Sequence, residues 1–102
     1  MNIDIVNDHP NHTKISIKGI VKSFSDSQQI KDTVENVARN SNHITIEFVE
    51  SFALTSSVIG YLMKKVQADN LNLSIITHND QLFELLNMLS LTSLFNVQKA
   101  PK

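Results

Sequence analysis

Apolar and polar residues alternate from Asn2 to Val6, the period-two signature of a half-buried strand. The run Asn7-Asp8-His9-Pro10-Asn11-His12 is dense in turn formers and closes it. Alternation resumes from Thr13 to Lys18, with Ile15 and Ile17 on one face, and stops at Gly19. The period then becomes helical: Ile30, Val34 and Val37 recur at i, i+4 and i+7, with Ser25 or Asp26 placed to cap. This predicts a helix over 25–39, ended by Asn40-Ser41-Asn42. His43 to Val49 forms a third strand, with Ile44, Ile46 and Phe48 on one side. After the short connection Glu50 to Leu54, Thr55-Ser56-Ser57 read as N-cap residues of a helix over 57–69. Asn72 to Thr77 is a fourth strand, and Asn79 or Asp80 caps a helix over 79–89. The apolar stretch Leu91 to Val97 has room for one more short element before a polar tail, Lys99-Ala100-Pro101-Lys102.

The order β-β-α-β-α-β-α predicts an α/β fold: one small sandwich-like domain over 1–98 with a polar tail over 99–102. Strands joined through helices run parallel and the first two, joined by a short turn, antiparallel, so the central sheet is mixed but mostly parallel. Composition agrees with a single globular domain, at 102 residues, 41% hydrophobic and 19% charged. A net charge of −1 gives no electrostatic footprint for nucleic acid. The start Met1-Asn2-Ile3-Asp4 lacks a secretory pattern, and no apolar run reaches the ~20 residues that span a bilayer. The expected compartment is the cytoplasm.

Most chemistry is excluded. Without cysteine there is no disulfide, thiolate zinc site, Cys nucleophile or thioredoxin-like redox role. Gly19 and Gly60 are the only glycines, far too separated for a P-loop or a dinucleotide fingerprint. The first strand ends Ile5-Val6-Asn7, without the adjacent acids of a response-regulator receiver. His9, His12, His43 and His78 are loosely spaced and read as surface residues, and no G-x-S-x-G elbow supports a Ser-His-Asp triad. The chain is expected to be no enzyme, with no cofactor and no metal.

The locally unusual segment is Phe52-Ala53-Leu54-Thr55-Ser56-Ser57-Val58-Ile59-Gly60, where three hydroxyls meet a helix start. The unpaired N–H groups there would stabilise a phosphate. At about 100° per residue, Ile59, Leu62, Met63 and Val66 gather toward the core. Ser57, Tyr61, Lys64 and Ala68 then form an outer face, with Val58 on the flank and Lys65 at the edge. Taken alone, these residues favour plain capping by Thr55, Ser56 or Ser57 and a partly buried surface ring for Tyr61.

The segment from Ile44 to Val97 resembles the STAS family of anti-sigma-factor antagonists. The strand with an acid in it is Ile44-Thr45-Ile46-Glu47-Phe48, the motif position holds Thr55-Ser56-Ser57-Val58, and the finish is Leu91-Thr92-Ser93-Leu94-Phe95. Leu73-Ser74-Ile75-Ile76 matches the later strand and Ile17-Lys18-Gly19 the upstream one. The family's motif has Asp where Thr55 stands and Gly where Val58 stands, and the acid common after the upstream Gly is absent from Ile20-Val21-Lys22. The resemblance implies a phosphoacceptor at Ser57, with Ser56 as the neighbouring alternative. It also implies a partner surface of Thr55, Ser56, Ser57, Val58, Tyr61 and Lys64. The implied partners are an anti-sigma factor that is also a GHKL-type serine kinase, and a phosphatase that resets the switch. The alternative is a STAS accessory subunit that works without phosphorylation, on an ABC-transporter ATPase or a signalling scaffold, with Ser57 only a cap.

Overall fold

Strand β1 (Asn2–His9) pairs antiparallel with β2 (His12–Lys18) across the two-residue turn Pro10-Asn11. Asn11 takes φ +69°, a left-handed conformation that Asn tolerates better than most residues. The expected closure at Asn7 is therefore corrected. The strand runs on to His9, and a register shift between Val6 and His9 absorbs the turn-forming residues as an irregularity in the ladder. The computed structural model describes residues 1–101, with Asp8 and His9 described by their backbone alone, and Lys102, the end of the expected tail, lies outside the described residues.

Beyond β2 the chain runs α1 (Phe24–Ala38), β3 (His43–Phe48), α2 (Ser56–Gln67), β4 (Asn72–Thr77), α3 (Asp80–Met88) and β5 (Val97–Lys99). The five strands lie in chain order, and β2 to β5 are parallel, so the sheet is mixed and mostly parallel as expected. Lys99, expected in the tail, closes β5 opposite Thr77, and the Ala100 N–H donates to the Thr77 carbonyl at 2.8 Å.

Consecutive parallel strands joined by right-handed crossovers lay their helices on one face of the sheet. Burial follows that rule. One face carries Ile15, Ile17, Ile44, Ile46, Phe48, Leu73 and Ile75, each at most 1% exposed. Against it pack Ile30 and Val34 of α1, Val58 and Leu62 of α2, and Leu82 and Leu86 of α3, in one core. The rows Ile15–Ile46–Ile75 and Ile17–Phe48–Thr77 are in register across three strands.

Parallel sheets are normally covered on both faces. Here the second face is polar and satisfies itself. Glu47 of β3 meets the Lys14 ammonium at 3.2 Å, the Ser16 hydroxyl at 3.3 Å and His78 Nε2 at 2.5 Å. His12 and His43, far apart in sequence, are register partners with ring centroids 4.5 Å apart, bonded to Thr45 and Ser74. The side chain of His9 lies outside the described residues.

His78 first, and then Lys14, hold the Glu47 carboxyl below its ordinary value of 4.5. A carboxyl whose folded pKa is depressed stabilises the fold above its unfolded pKa and loses that contribution as pH falls. The melting temperature should therefore drop as pH goes from about 5 to about 3, and Glu47→Gln should show a shallower drop. Thermal melts across that range check this; an unchanged slope in the variant contradicts it.

Candidate functional site

The C-terminal ends of β2, β3 and β4 share one end of the sheet, so the N-termini of α1, α2 and α3 gather there. In open α/β sheets that end is where binding sites form. Each helix starts on a side-chain cap. Ser23, not the expected Ser25 or Asp26, caps α1 by accepting from the Asp26 N–H at 3.0 Å. Asp26 falls in the first turn, where the Lys22 N–H holds its carboxyl below the usual range. Asn79 caps α3 through the Gln81 and Leu82 N–H groups.

Two loops are pinned together beside α2. The buried Ser51 hydroxyl donates to the Gly19 carbonyl at 3.3 Å and accepts from the Val21 N–H, and Glu50 accepts from the Gly19 N–H at 2.9 Å. Gly19 holds φ +92°, and an added Cβ would meet the Met1 Cα at 3.1 Å. Gly19→Ala should destabilise by about 1–3 kcal/mol, from backbone strain at a positive φ. Urea melts of the variant check this, and a change within error contradicts it.

Thr55 caps α2. Its Oγ1 accepts from the Val58 N–H at 3.2 Å and shares a hydrogen bond with the buried Ser27 hydroxyl of α1 at 3.0 Å. Capping is thereby assigned to one of the three hydroxyls, and Ser56 and Ser57 stand exposed in the first turn with another role open to them. Ser57 Oγ accepts from the Lys31 ammonium of α1 at 2.5 Å. The first turns of α1 and α3 carry Asp26 and Asp80, whereas that of α2 carries no acid. Its first turn carries hydroxyls where the other two carry an acid.

The helical phase expected for α2 is corrected. Val58, expected on the flank and in the partner surface, is fully buried with Leu62. Its bulk goes into the core instead of onto the surface. Ile59, Met63 and Val66 are only partly buried against that core. Tyr61, expected to face outward, turns toward α1. Its hydroxyl reaches the Lys31 carbonyl at 3.3 Å and donates to the Glu35 carboxylate. Burial, and then Glu35, push the Tyr61 phenol well above its ordinary value, so it remains a donor. Lys65 also pairs with Glu35, at 2.8 Å, and with Asp69 at 3.1 Å. Lys65 first and Tyr61 second hold the Glu35 carboxyl low. The exposed face of α2 is therefore Ser56, Ser57, Gly60, Lys64 and Gln67, a hydroxyl tip followed by bare backbone and a lysine.

Three apolar side chains that sequence reasoning did not assign to the site border this end of the sheet: Ile20 at 42% exposure, Phe24 at 79% and Phe52 at 48%. The signal for Phe24 was its place off the Ile30–Val34 stripe of α1. Glu47, the acid of the strand motif, points to the open sheet face, where its partners are Lys14, Ser16 and His78. Among the described residues no group of three or more His, Cys, Asp and Glu is placed to hold a metal ion, and no helix is long and apolar enough to cross a membrane.

No protein-family model and no curated protein matches the sequence. Solved structures do match. The anti-sigma factor antagonist SpoIIAA in its unphosphorylated form superposes with a TM-score of 0.75 at 12% identity, over 99% of this chain and 90% of that one. An anti-sigma factor antagonist from Mycobacterium paratuberculosis gives 0.72 at 13% identity, over 94% and 85%. The Bacillus cell fate determinant SpoIIAA in its phosphorylated form gives 0.68 at 12% identity, over 99% and 93%. Over nearly its whole length, this chain has the STAS-type fold of the anti-sigma factor antagonists.

Proposed function

We propose that this chain is a cytoplasmic regulatory protein of the anti-sigma-factor-antagonist type, which binds a protein partner through the start and exposed face of α2. The partner is an anti-sigma factor that is also a serine kinase of GHKL type. Phosphorylation of Ser57 blocks binding, and a phosphatase restores it. The observation that carries this reading is the division of labour among the three hydroxyls. Thr55 caps the helix and leaves Ser57 exposed at its first turn. A similar protein, SpoIIAA, exists in an unphosphorylated and a phosphorylated form.

The chemistry of the surface supports it. The first turn of α2 lacks the acid that the first turns of α1 and α3 carry, so a phosphate meets no like charge from its own helix end. Ile20, Phe24 and Phe52 leave exposed apolar side chains at the same end, and aromatic residues are enriched where proteins meet. A phosphate of about −1.5 to −2 charge, placed in a contact that fits a neutral hydroxyl, disrupts it by desolvation.

The test is affinity capture from native-cell extract with wild type and Ser57→Asp. The expected result is a serine kinase that also binds a sigma factor, retained by wild type and lost with Ser57→Asp. A transporter ATPase captured equally by both would favour the accessory-subunit alternative.

A further inference from the structure

Lysines on this surface mostly hold carboxylates. Lys14 pairs with Glu47, Lys18 with Asp4, Lys65 with Glu35 and Asp69, and Lys99 with Asp80. Lys31 differs. It is partly buried on α1, and among the described residues no carboxylate lies within ion-pair distance of its ammonium. Glu35, one helical turn away, is already engaged by Lys65 and Tyr61. The ammonium instead sits 2.5 Å from Ser57 Oγ, across the seam between two helices.

A partly buried cation held on a neutral hydroxyl lacks its matching charge. We propose that Lys31 is the built-in counter-charge for a phosphate on Ser57, pinning the modified side chain into the α1–α2 seam. This rests on the phosphoserine reading above and adds the residue that holds the phosphate. The geometry needs little rearrangement. Transfer of the terminal phosphoryl group of ATP by the proposed serine kinase replaces the Ser57 O–H bond with an O–P bond, releases ADP and the hydroxyl proton, and sets three further oxygens around the atom Lys31 already touches. The ammonium then donates to an anionic oxygen, a bond roughly twice as strong as one to a neutral acceptor. Tyr61 and Thr55 position the clamp. Tyr61 reaches the Lys31 carbonyl, and Thr55 bonds Ser27 one turn earlier on α1. Modification at α2 is thereby felt at α1, and the outward charge is fixed at one place instead of sweeping over the surface.

A nearby cation favours the dianion over the monoanion, so the clamp is readable in the phosphate's own titration. Phosphoserine is installed at Ser57 of the full chain by an expanded genetic code, and the phosphorus resonance is followed by NMR against pH. The free second pKa is about 6. The wild-type midpoint should lie below that, Lys31→Met should raise it by roughly half a unit or more, and Lys31→Arg should keep it low. Lys14→Met, which removes a cation from the open sheet face, should leave it in place. If Lys31→Met does not fold, the wild-type midpoint at low and high salt serves instead, since screening should raise it. Equal midpoints in wild type and folded Lys31→Met, or a salt-insensitive wild-type midpoint, overturn the clamp. Because the phosphate is installed, this result is separate from whether cells phosphorylate Ser57. A lowered midpoint with no phosphate ever found in native cells upholds the clamp chemistry and overturns the proposed function.

Discussion

Val58→Asp should unfold the domain, while Gly60→Ala, two positions along the same helix, should stabilise it. Val58 is fully buried in the core it shares with Leu62, so an aspartate there is an unpaired charge in an apolar core. An uncompensated buried charge costs about 3–5 kcal/mol or more, comparable with the lower end of the ~5–15 kcal/mol that holds a small domain together. Gly60 is exposed in mid-helix, and a Cβ added there meets nothing within 4 Å. Alanine removes the flexibility glycine lends the unfolded chain and should add roughly 0.5–1 kcal/mol. Circular dichroism melts of both variants measure the helical phase directly. A folded Val58→Asp protein with native stability would show that α2 is turned as the sequence suggested.

Ser57→Asp should keep the fold and weaken partner binding by a few hundred-fold, a loss of ~3–4 kcal/mol. The fold is kept because the side chain is exposed, in the first turn of a helix with no acid there, beside Lys31. An acid in that position stabilises by ~0.3–1 kcal/mol. Binding should be lost, because the proposed contact takes a neutral hydroxyl at this position. Ser57→Ala should bind but resist switching, and Ser56→Ala should do both normally. Calorimetric titration of the three variants against the captured partner gives the affinities. Normal affinity for Ser57→Asp would make Ser57 a bystander.

The alternating strands and the Ile30–Val34 stripe made the order of elements legible, because burial on one face imposes period two on strands and near 3.6 on helices. The hairpin was less so. Asn7 is a turn former by propensity, and the pairing of β1 to β2 with its register shift holds it in a strand. Thr55 was legible as a possible cap, but Ser23 was not, since Ser25, Asp26 and Ser27 follow it closely.

The phase of α2 was misread for a physical reason. Ile59, Met63 and Val66 outnumber Val58 as large apolar residues, yet they cover the rim of the core while Val58 and Leu62 fill its centre. Tyr61 looked outward because its partners, Glu35 and the Lys31 carbonyl, come from another helix. Lys31 itself was invisible to sequence reasoning. Its relation to Ser57 spans 26 positions and exists only once α1 and α2 pack side by side.

Phosphosite mapping by mass spectrometry of the protein isolated from its native cells tests whether Ser57 carries the proposed switch. A phosphorylated fraction on Ser57 should rise and fall with growth conditions, with Ser56 unmodified. Ser57 unmodified under every condition in which the protein is present would contradict it.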